Sequence, residues 1–431
     1  MTSLFSAAHI VLLQKAWQAL AGLVTVALVT RFLSPAEQGY YYAIGSLVSS
    51  FLVLDLGLSG LLVQVSARMS AGLSLGVKGA LAPEGLERQR FLQMLAWCRR
   101  WYTRAGLLTL LLFPLGYAYF SAAEKGAPSG VWQLPWLVVV LCAAASMTAM
   151  PLQALVEGAG RVAEVYLVRL GHYAAGSLLA WGLLVAGLGV YAPAMAPLAV
   201  TALTFLWVHV RYPRLLEPTG QAGEPFPWRE QLWPLQKRVA LTWAANYAFL
   251  NAPTLVAFYF IDPASAGRLG LSMVVANLLG SMCASWLIAK TPLITQLAAS
   301  GERSQARATF AREFFRALVL MAGAYAAMVL VVWGGAAWEV MHRFLPPSEL
   351  LVLAGAFLVF HGMGMLAIHF RALGQERLAL PMAVATAVGV LLAGLLAQPL
   401  GLLGICGAIF LSLLLVCVPM MGVSWRGSAS G

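Results

Sequence analysis

Lys15 is the side chain in this sequence that most demands a chemical reason. It lies in the run His9-Ile10-Val11-Leu12-Leu13-Gln14-Lys15-Ala16-Trp17-Gln18, inside an apolar stretch of membrane-spanning length. A lysine within such a stretch costs about 2.5–3.5 kcal/mol on insertion scales, so it faces a cavity or a partner unless it snorkels to the headgroups. Gln18, three positions on, shares its helix face, while Gln14 is adjacent and diverges. Asp55 is the one acidic residue deep within a predicted span. It would pair with a basic group, take part in ion coupling, or cap a helix broken before Gly57 and Gly60. Thr242 and Asn246 are four apart and share a face, with Asn251 and Pro253 further along the same span. Their hydroxyl and amide groups suit a polar cavity lining, or serve as interhelical glue. Pro253 lacks an N–H and frees the carbonyl of Phe249, so a kink is predicted there. Arg68 and Lys290 each end a span and would ring an opening for an anion, although ordinary orienting charges look the same. His172, His361 and His369 lie in or near spans with no carboxylates beside them, which favours packing and hydrogen bonding over a metal site or proton relay.

A membrane scaffold must position these groups. The chain has 431 residues, 61% hydrophobic and 10% charged, with a mean hydropathy of +0.82. Soluble domains carry about 25% charged residues. Charged and Pro/Gly-rich breaks divide the sequence into twelve apolar segments, at 9–30, 40–63, 103–120, 133–155, 164–188, 191–210, 237–260, 268–290, 313–335, 349–370, 378–397 and 401–421. The first is too long for a signal peptide and lacks a small-residue cleavage site, so it reads as a retained helix. With the N-terminus placed in the cytoplasm, nearly all lysines and arginines fall on the cytoplasmic side. The exceptions are Arg31, Lys125, Arg268, Arg343 and the intrahelical Lys15. This positive-inside pattern puts both termini in the cytoplasm, and it accounts for the net charge of +11 without nucleic acid. The five cysteines have no metal-like spacing, and no cofactor is implied.

The sequence repeats itself. Phe32-Leu33-Ser34-Pro35-Ala36-Glu37-Gln38-Gly39 aligns with Phe260-Ile261-Asp262-Pro263-Ala264-Ser265-Ala266-Gly267, each copy following one apolar segment and opening another. Glu157-Gly158-Ala159-Gly160-Arg161 and Arg371-Ala372-Leu373-Gly374-Gln375 form a second pair in the same order. The polar, Pro-rich stretch 213–236 separates an N-terminal bundle (1–212) from a C-terminal one (237–431), with six segments in each. Six is even, so the two repeats enter the membrane in the same direction and are parallel repeats about an axis along its normal. The fold class is all-α, polytopic, with about twelve transmembrane helices in two six-helix bundles. The longest cytoplasmic segment, 64–102, carries an aromatic-basic run from Trp97 to Tyr102, read either as an interfacial amphipathic helix or as a charged helix end. Tyr40-Tyr41-Tyr42 fits an interfacial aromatic belt, or a stacking surface for sugars.

The stretch Arg31–Arg68 resembles the opening of the polysaccharide-exporting, Wzx-like branch of the multidrug/oligosaccharidyl-lipid/polysaccharide (MOP) exporter superfamily. Its two carriers are Leu33-Ser34-Pro35-Ala36-Glu37-Gln38-Gly39, after the first helix, and Asp55-Leu56-Gly57-Leu58-Ser59, ending the second. Arg371-Ala372-Leu373-Gly374 and Gly401-Leu402-Leu403-Gly404-Ile405-Cys406-Gly407-Ala408 also look like that branch. The segment between helices two and three is longer than is usual there, and the twelve spans lack an additional pair carried by some lipid-flipping relatives. The resemblance implies a MATE-like fold and a non-enzymatic flippase in the bacterial inner membrane. Such a flippase moves an undecaprenyl-diphosphate-linked oligosaccharide by alternating access, for surface polysaccharides such as O-antigen. Its partners would be that lipid and membrane lipids, with a monomer working alone or beside polysaccharide-assembly proteins. On this reading Lys15, with Gln18, contacts the diphosphate, and Arg68 and Lys290 gather the headgroup. Thr242, Asn246 and Asn251 take sugar hydroxyls, Asp55 has a structural or gating role, and Pro253 is a hinge. The rival on the same fold is a cation-coupled multidrug antiporter, which favours several acidic residues in the N-terminal bundle where only Asp55 qualifies. A membrane polymerase or glycosyltransferase would need larger and more charged external loops.

Overall fold

A computed structural model describes residues 7–55, 57–70, 73–123, 130–217, 226–372 and 378–427. The chain is all-α apart from one two-residue hairpin among the described residues. Among the described residues, nine helical stretches are long and apolar enough to cross a membrane. Counting also the helices Val162–Val185 and Trp233–Phe260, and the two arms of the last helix, gives about twelve helical spans, so the chain is a multi-pass membrane protein.

The helices fall into two compact units. The first comprises Met1–Leu33 and Leu47–Ala240, the second Ser34–Ser46 and Leu241–Gly431. In the first unit, α1 (Ala7–Phe32) packs along α8 (Val162–Val185), which packs on α9 (Met195–Arg211). Two more helices, α4 (Leu58–Met69) and α5 (Leu86–Thr109), pack on α7 (Gln133–Gly158), and α6 (Leu112–Ala123) continues from α5. Short side chains permit a close approach of α4 to α7. Ser66 of α4 meets Gly158 of α7, and its hydroxyl donates to the Leu155 carbonyl at 2.8 Å.

A small cap closes one end of this unit. Strands β1 (Ser74–Leu75) and β2 (Leu81–Ala82) pair antiparallel, Ser74 opposite Ala82. The Arg161 guanidinium donates to the Leu75 carbonyl at 2.6 Å. Leu75, Leu81, Phe91, Tyr212, Leu215, Phe226 and Leu232 are buried in one cluster. Trp97 stacks on Trp101 and on Trp228 of the short α10 (Trp228–Gln231), at 5.8 and 5.9 Å between ring centroids. The aromatic-basic run is therefore not a separate interfacial helix. It is the middle of α5, whose apolar face is held by the cap. The pKa of the Tyr212 phenol is pushed up to about 12, because the ring is buried and its hydroxyl donates to the Glu164 carboxylate.

The second unit contains α11 (Trp233–Phe260) from Leu241 onward, α12 (Pro263–Ile288), α13 (Thr291–Ala299), α14 (Arg303–Gly334), α15 (Pro347–Ala372) and α16 (Ala379–Gly427). Gly401 has φ 59°, a conformation costly for other residues, and it divides α16 into two arms. In the core, Phe249 stacks on Phe360 with ring centroids 3.8 Å apart.

The opening of α2 (Pro35–Val48) belongs to this unit as far as Ser46. The two copies of the repeat are capped alike. Before α2, the Ser34 N–H donates to Glu37 Oε2 at 2.8 Å while the Glu37 N–H donates to Ser34 Oγ, a reciprocal capping box with proline at the first helical position. Before α12, Asp262 accepts from the Ser265 N–H at 2.8 Å and from its hydroxyl at 2.6 Å. Charged residues mark where hydropathy falls, not where helices start. Hence α2, α12, α5 and α14 begin at Pro35, Pro263, Leu86 and Arg303, ahead of the apolar segments they carry.

Matching positions of the copies touch. A Cβ on Gly39 would overlap the Pro263 carbonyl, and one on Gly267 would lie 2.9 Å from the Gly39 nitrogen. Three residues further along each copy, Tyr42 lies against Gly270. Gln38 Nε2 donates to the Gly267 carbonyl at 2.8 Å. This contact corrects the belt reading of the tyrosines. Tyr40 and Tyr42 are buried, Tyr40 edge-on to Phe258 of α11 and Tyr42 against Gly270 of α12.

Candidate functional site

In the first unit, Lys15 is exposed on α1, and its Nζ donates to Gln18 Oε1 at 3.2 Å. Among the described residues no carboxylate lies within ion-pair range of it. Gln14, by contrast, is 4% exposed, and its Oε1 has no hydrogen-bond partner among the described residues. Helix α1 is oriented by two tryptophans: Trp17 Nε1 donates to Ser177 Oγ at 3.3 Å and Trp181 Nε1 to Thr25 Oγ1 at 2.8 Å. These bonds fix which face of α1 meets α8 and leave Lys15 off that seam.

Asp55 ends the short α3 (Phe51–Asp55) and is 4% exposed. Its carboxylate accepts from the Tyr102 hydroxyl, from Ser59 Oγ at 2.9 Å and from the Ser59 N–H at 3.3 Å. Gly57, at φ 69°, stands at the N-cap of α4 and has no side chain to cap with, so Asp55 reaches over it to the first turn. The carboxylate thereby ties α3, α4 and α5 together. Arg68 is exposed in the last turn of α4.

In the second unit, Thr242, Asn246 and Asn251 are half-buried on α11. The Thr242 hydroxyl has no hydrogen-bond partner among the described residues, and Asn251 Nδ2 donates back to the Tyr247 carbonyl at 3.0 Å. Pro253 is buried, and α11 continues through it to Phe260. Lys290 is exposed in the turn between α12 and α13.

Among the histidines, His172 is buried with Nε2 3.2 Å from Thr204 Oγ1, and His361 Nδ1 lies 3.0 Å from the Phe357 carbonyl and 3.3 Å from the Tyr325 hydroxyl. The His369 side chain, like residues 373–375 of the second repeat pair, lies outside what the structure describes. No group of three His, Cys, Asp or Glu side chains suited to a metal occurs among the described residues.

Sequence reasoning missed a polar chain across α7, α8 and α9. Arg169 pairs with Glu157 at 2.7 Å and donates to Gln153 Oε1 at 3.2 Å. Gln153 Nε2 in turn donates to Thr204 Oγ1 at 2.8 Å, and Thr204 meets His172. Arg169 and Glu157 are twelve positions apart on different helices, so neither helical periodicity nor a local motif signals their pairing. The second unit has its own charged node, where buried Glu313 accepts from Trp286 Nε1 at 3.0 Å and pairs with Arg312 and Arg316.

No family model matches the chain, and no curated protein matches it. Solved structures do share its fold. A lipid II flippase, MurJ, in an inward closed conformation superposes with a TM-score of 0.68 at 11% identity, over 96% of this chain and 87% of that one. An inward-facing multidrug-resistance MATE transporter of the MOP superfamily gives 0.58 at 14% identity, over 95% and 98%. The MATE multidrug transporter DinF-BH, solved as a complex, gives 0.59 at 14% identity, over 97% and 95%. The fold of this chain is that of MOP-superfamily transporters.

Proposed function

We propose that this chain is a MOP-superfamily transporter of the polysaccharide-exporting branch. It would move an undecaprenyl-diphosphate-linked oligosaccharide from the cytoplasmic to the outer leaflet of the bacterial inner membrane, with both termini cytoplasmic and no bond-making chemistry. The observation that carries this reading is Lys15, a cation on an apolar helix with a glutamine and no carboxylate beside it among the described residues. A cation so placed asks for an anionic ligand, and a diphosphate supplies one. In this reading Lys15 and Gln18 hold the diphosphate, and Arg68 and Lys290 gather it. Thr242, Asn246 and Asn251 bond sugar hydroxyls, Asp55 keeps the broken second span in shape, and Pro253 lets α11 bend during alternating access.

A second reading, a cation-coupled multidrug antiporter, is favoured by the fold shared with the MATE transporters. It requires a carboxylate that trades protons or cations for drug. Asp55 is engaged by Ser59 and Tyr102, and Glu157 by Arg169, which supports the flippase instead.

The test is the lipid-linked glycan pool of a strain lacking this chain, with leaflet location read by an impermeant glycan label. Complete units held in the inner leaflet, released by wild type and not by a well-expressed Lys15→Ala, are expected. A normal glycan pool with altered drug sensitivity overturns the flippase in favour of the antiporter.

A further inference from the structure

The backbone passes between the two units three times, at Leu33–Ser34, Ser46–Leu47 and Ala240–Leu241. The first passage falls at the link between α1 and α2, and the third inside the continuous helix α11. The second falls inside a membrane span, just before its helix breaks. Helix α2 stops at Val48, α3 runs only from Phe51 to Asp55, and α4 starts at Leu58. The break has a local cause. The Leu47 carbonyl takes both the Ser50 N–H at 3.2 Å and the Ser50 hydroxyl at 2.7 Å, and the Leu52 and Val53 N–H groups bond three residues back instead of four. Serine pairs that bond back to the helix are a recognised source of bends. Gly57 then adds a left-handed residue.

Each flank of the break is fastened firmly. On the α2 side, Gly39 abuts the Pro263 backbone, Gln38 donates to the Gly267 carbonyl, and Tyr247 donates to the Ser46 carbonyl at 2.9 Å. On the α4 side, Ser66 donates to the Leu155 carbonyl and Ser70 to the Gly158 carbonyl at 3.2 Å. A span clamped at both ends, with a short-bonded turn between, bends at that turn when its ends move.

We infer that Leu47–Asp55, with Gly57 as a second pivot, is a built-in hinge. It lets Pro35–Ser46 travel with the second unit while Leu58–Met69 travels with the first. The hinge is a property of the backbone and holds whichever solute the chain carries, so its failure and that of the proposed substrate are read separately. Asp55 acts as its stop: by bonding Ser59 and Tyr102 it limits how far α3 swings from α4 and α5.

The test is pulsed dipolar spectroscopy on the full chain in lipid nanodiscs, with its five native cysteines replaced and spin labels at the exposed positions Ala36 and Gln64. Control pairs are Ala36 with Val274, both in the second unit, and Gln64 with Leu141, both in the first. Measurements are made without ligand and with added undecaprenyl diphosphate. The hinge predicts two Ala36–Gln64 populations differing by roughly one helical turn, about 5 Å, while both controls stay narrow. Ser50→Ala combined with Gly57→Ala, which removes the back-bond and penalises the left-handed residue, is expected to merge them into one. An Ala36–Gln64 distribution as narrow as the controls in both conditions overturns the inference. So do two populations that the double variant leaves unchanged.

Discussion

Helix α12 runs unbroken from Pro263 to Ile288, whereas the span opened by the same motif at Pro35 is interrupted after Val48 and again around Gly57. The two share a proline at the first helical position, a side-chain cap and a glycine four residues on, and those glycines touch. They part company where the sequences do. Counting from the two prolines, Ser49 and Ser50 stand opposite Asn277 and Leu278, Asp55 opposite Cys283, and Gly57 opposite Ser285. A serine back-bond alone does not break a helix, since Ser285 Oγ reaches the Ser281 carbonyl within unbroken α12. The break needs the backbone N–H of Ser50 to shorten its bond as well, and a glycine free to turn left-handed. The copy that stays in one unit kept its helix, and the copy that passes between units lost it.

Breaking the shared part of this comparison should have the largest effect. Gly39→Leu drives a side chain into the Pro263 carbonyl, where backbone cannot yield, and is expected to cost about 3 kcal/mol or more. A large drop in Tm of the purified protein would register it. Gly39→Ala should cost more than Gly267→Ala, because its Cβ has less room. Breaking the divergent part comes next. Asp55→Ala strands the Tyr102 hydroxyl and the Ser59 donors, for about 1–3 kcal/mol, while Asp55→Asn keeps an acceptor and loses less. Equal melting of the two variants would mean that these hydrogen bonds do not hold the break. The caps should be smaller and unequal. Ser34→Ala and Asp262→Ala are each expected to cost about 1 kcal/mol, with Asp262 the larger because it accepts two bonds. Smallest is Gly45→Ala, which meets nothing within 4 Å and lies in the continuous part of α2, so it should raise stability by about 0.5–1 kcal/mol. A Gly45→Ala variant as damaged as Gly39→Ala would show that the glycine contact is not what matters at position 39.

Much of this was legible in the sequence. The two capped turns were readable because Ser-Pro-Ala-Glu and Asp-Pro-Ala-Ser are local signals, and the apolar segments because the bilayer demands length. What could not be read was tertiary. Nothing local pairs Arg169 with Glu157 or Tyr102 with Asp55, and nothing near Tyr40 and Tyr42 announces that Phe258 and Gly270 will lie against them. Helices that continue into charged sequence, as α5 does from Leu86, also escape a hydropathy reading, because a helix needs backbone hydrogen bonds and not apolar side chains. Lys15 was singled out by chemical cost, and the structure leaves it with Gln18 on the exposed face of α1.

The most direct test of the transport claim uses purified protein in liposomes containing an undecaprenyl-diphosphate-linked oligosaccharide, followed with an impermeant reagent that oxidises the sugar. If the chain flips this lipid, the whole pool becomes oxidisable with time, and Lys15→Ala liposomes stop at the fraction initially facing outward. If wild-type liposomes stop at that same fraction as protein-free ones do, the chain does not flip this lipid.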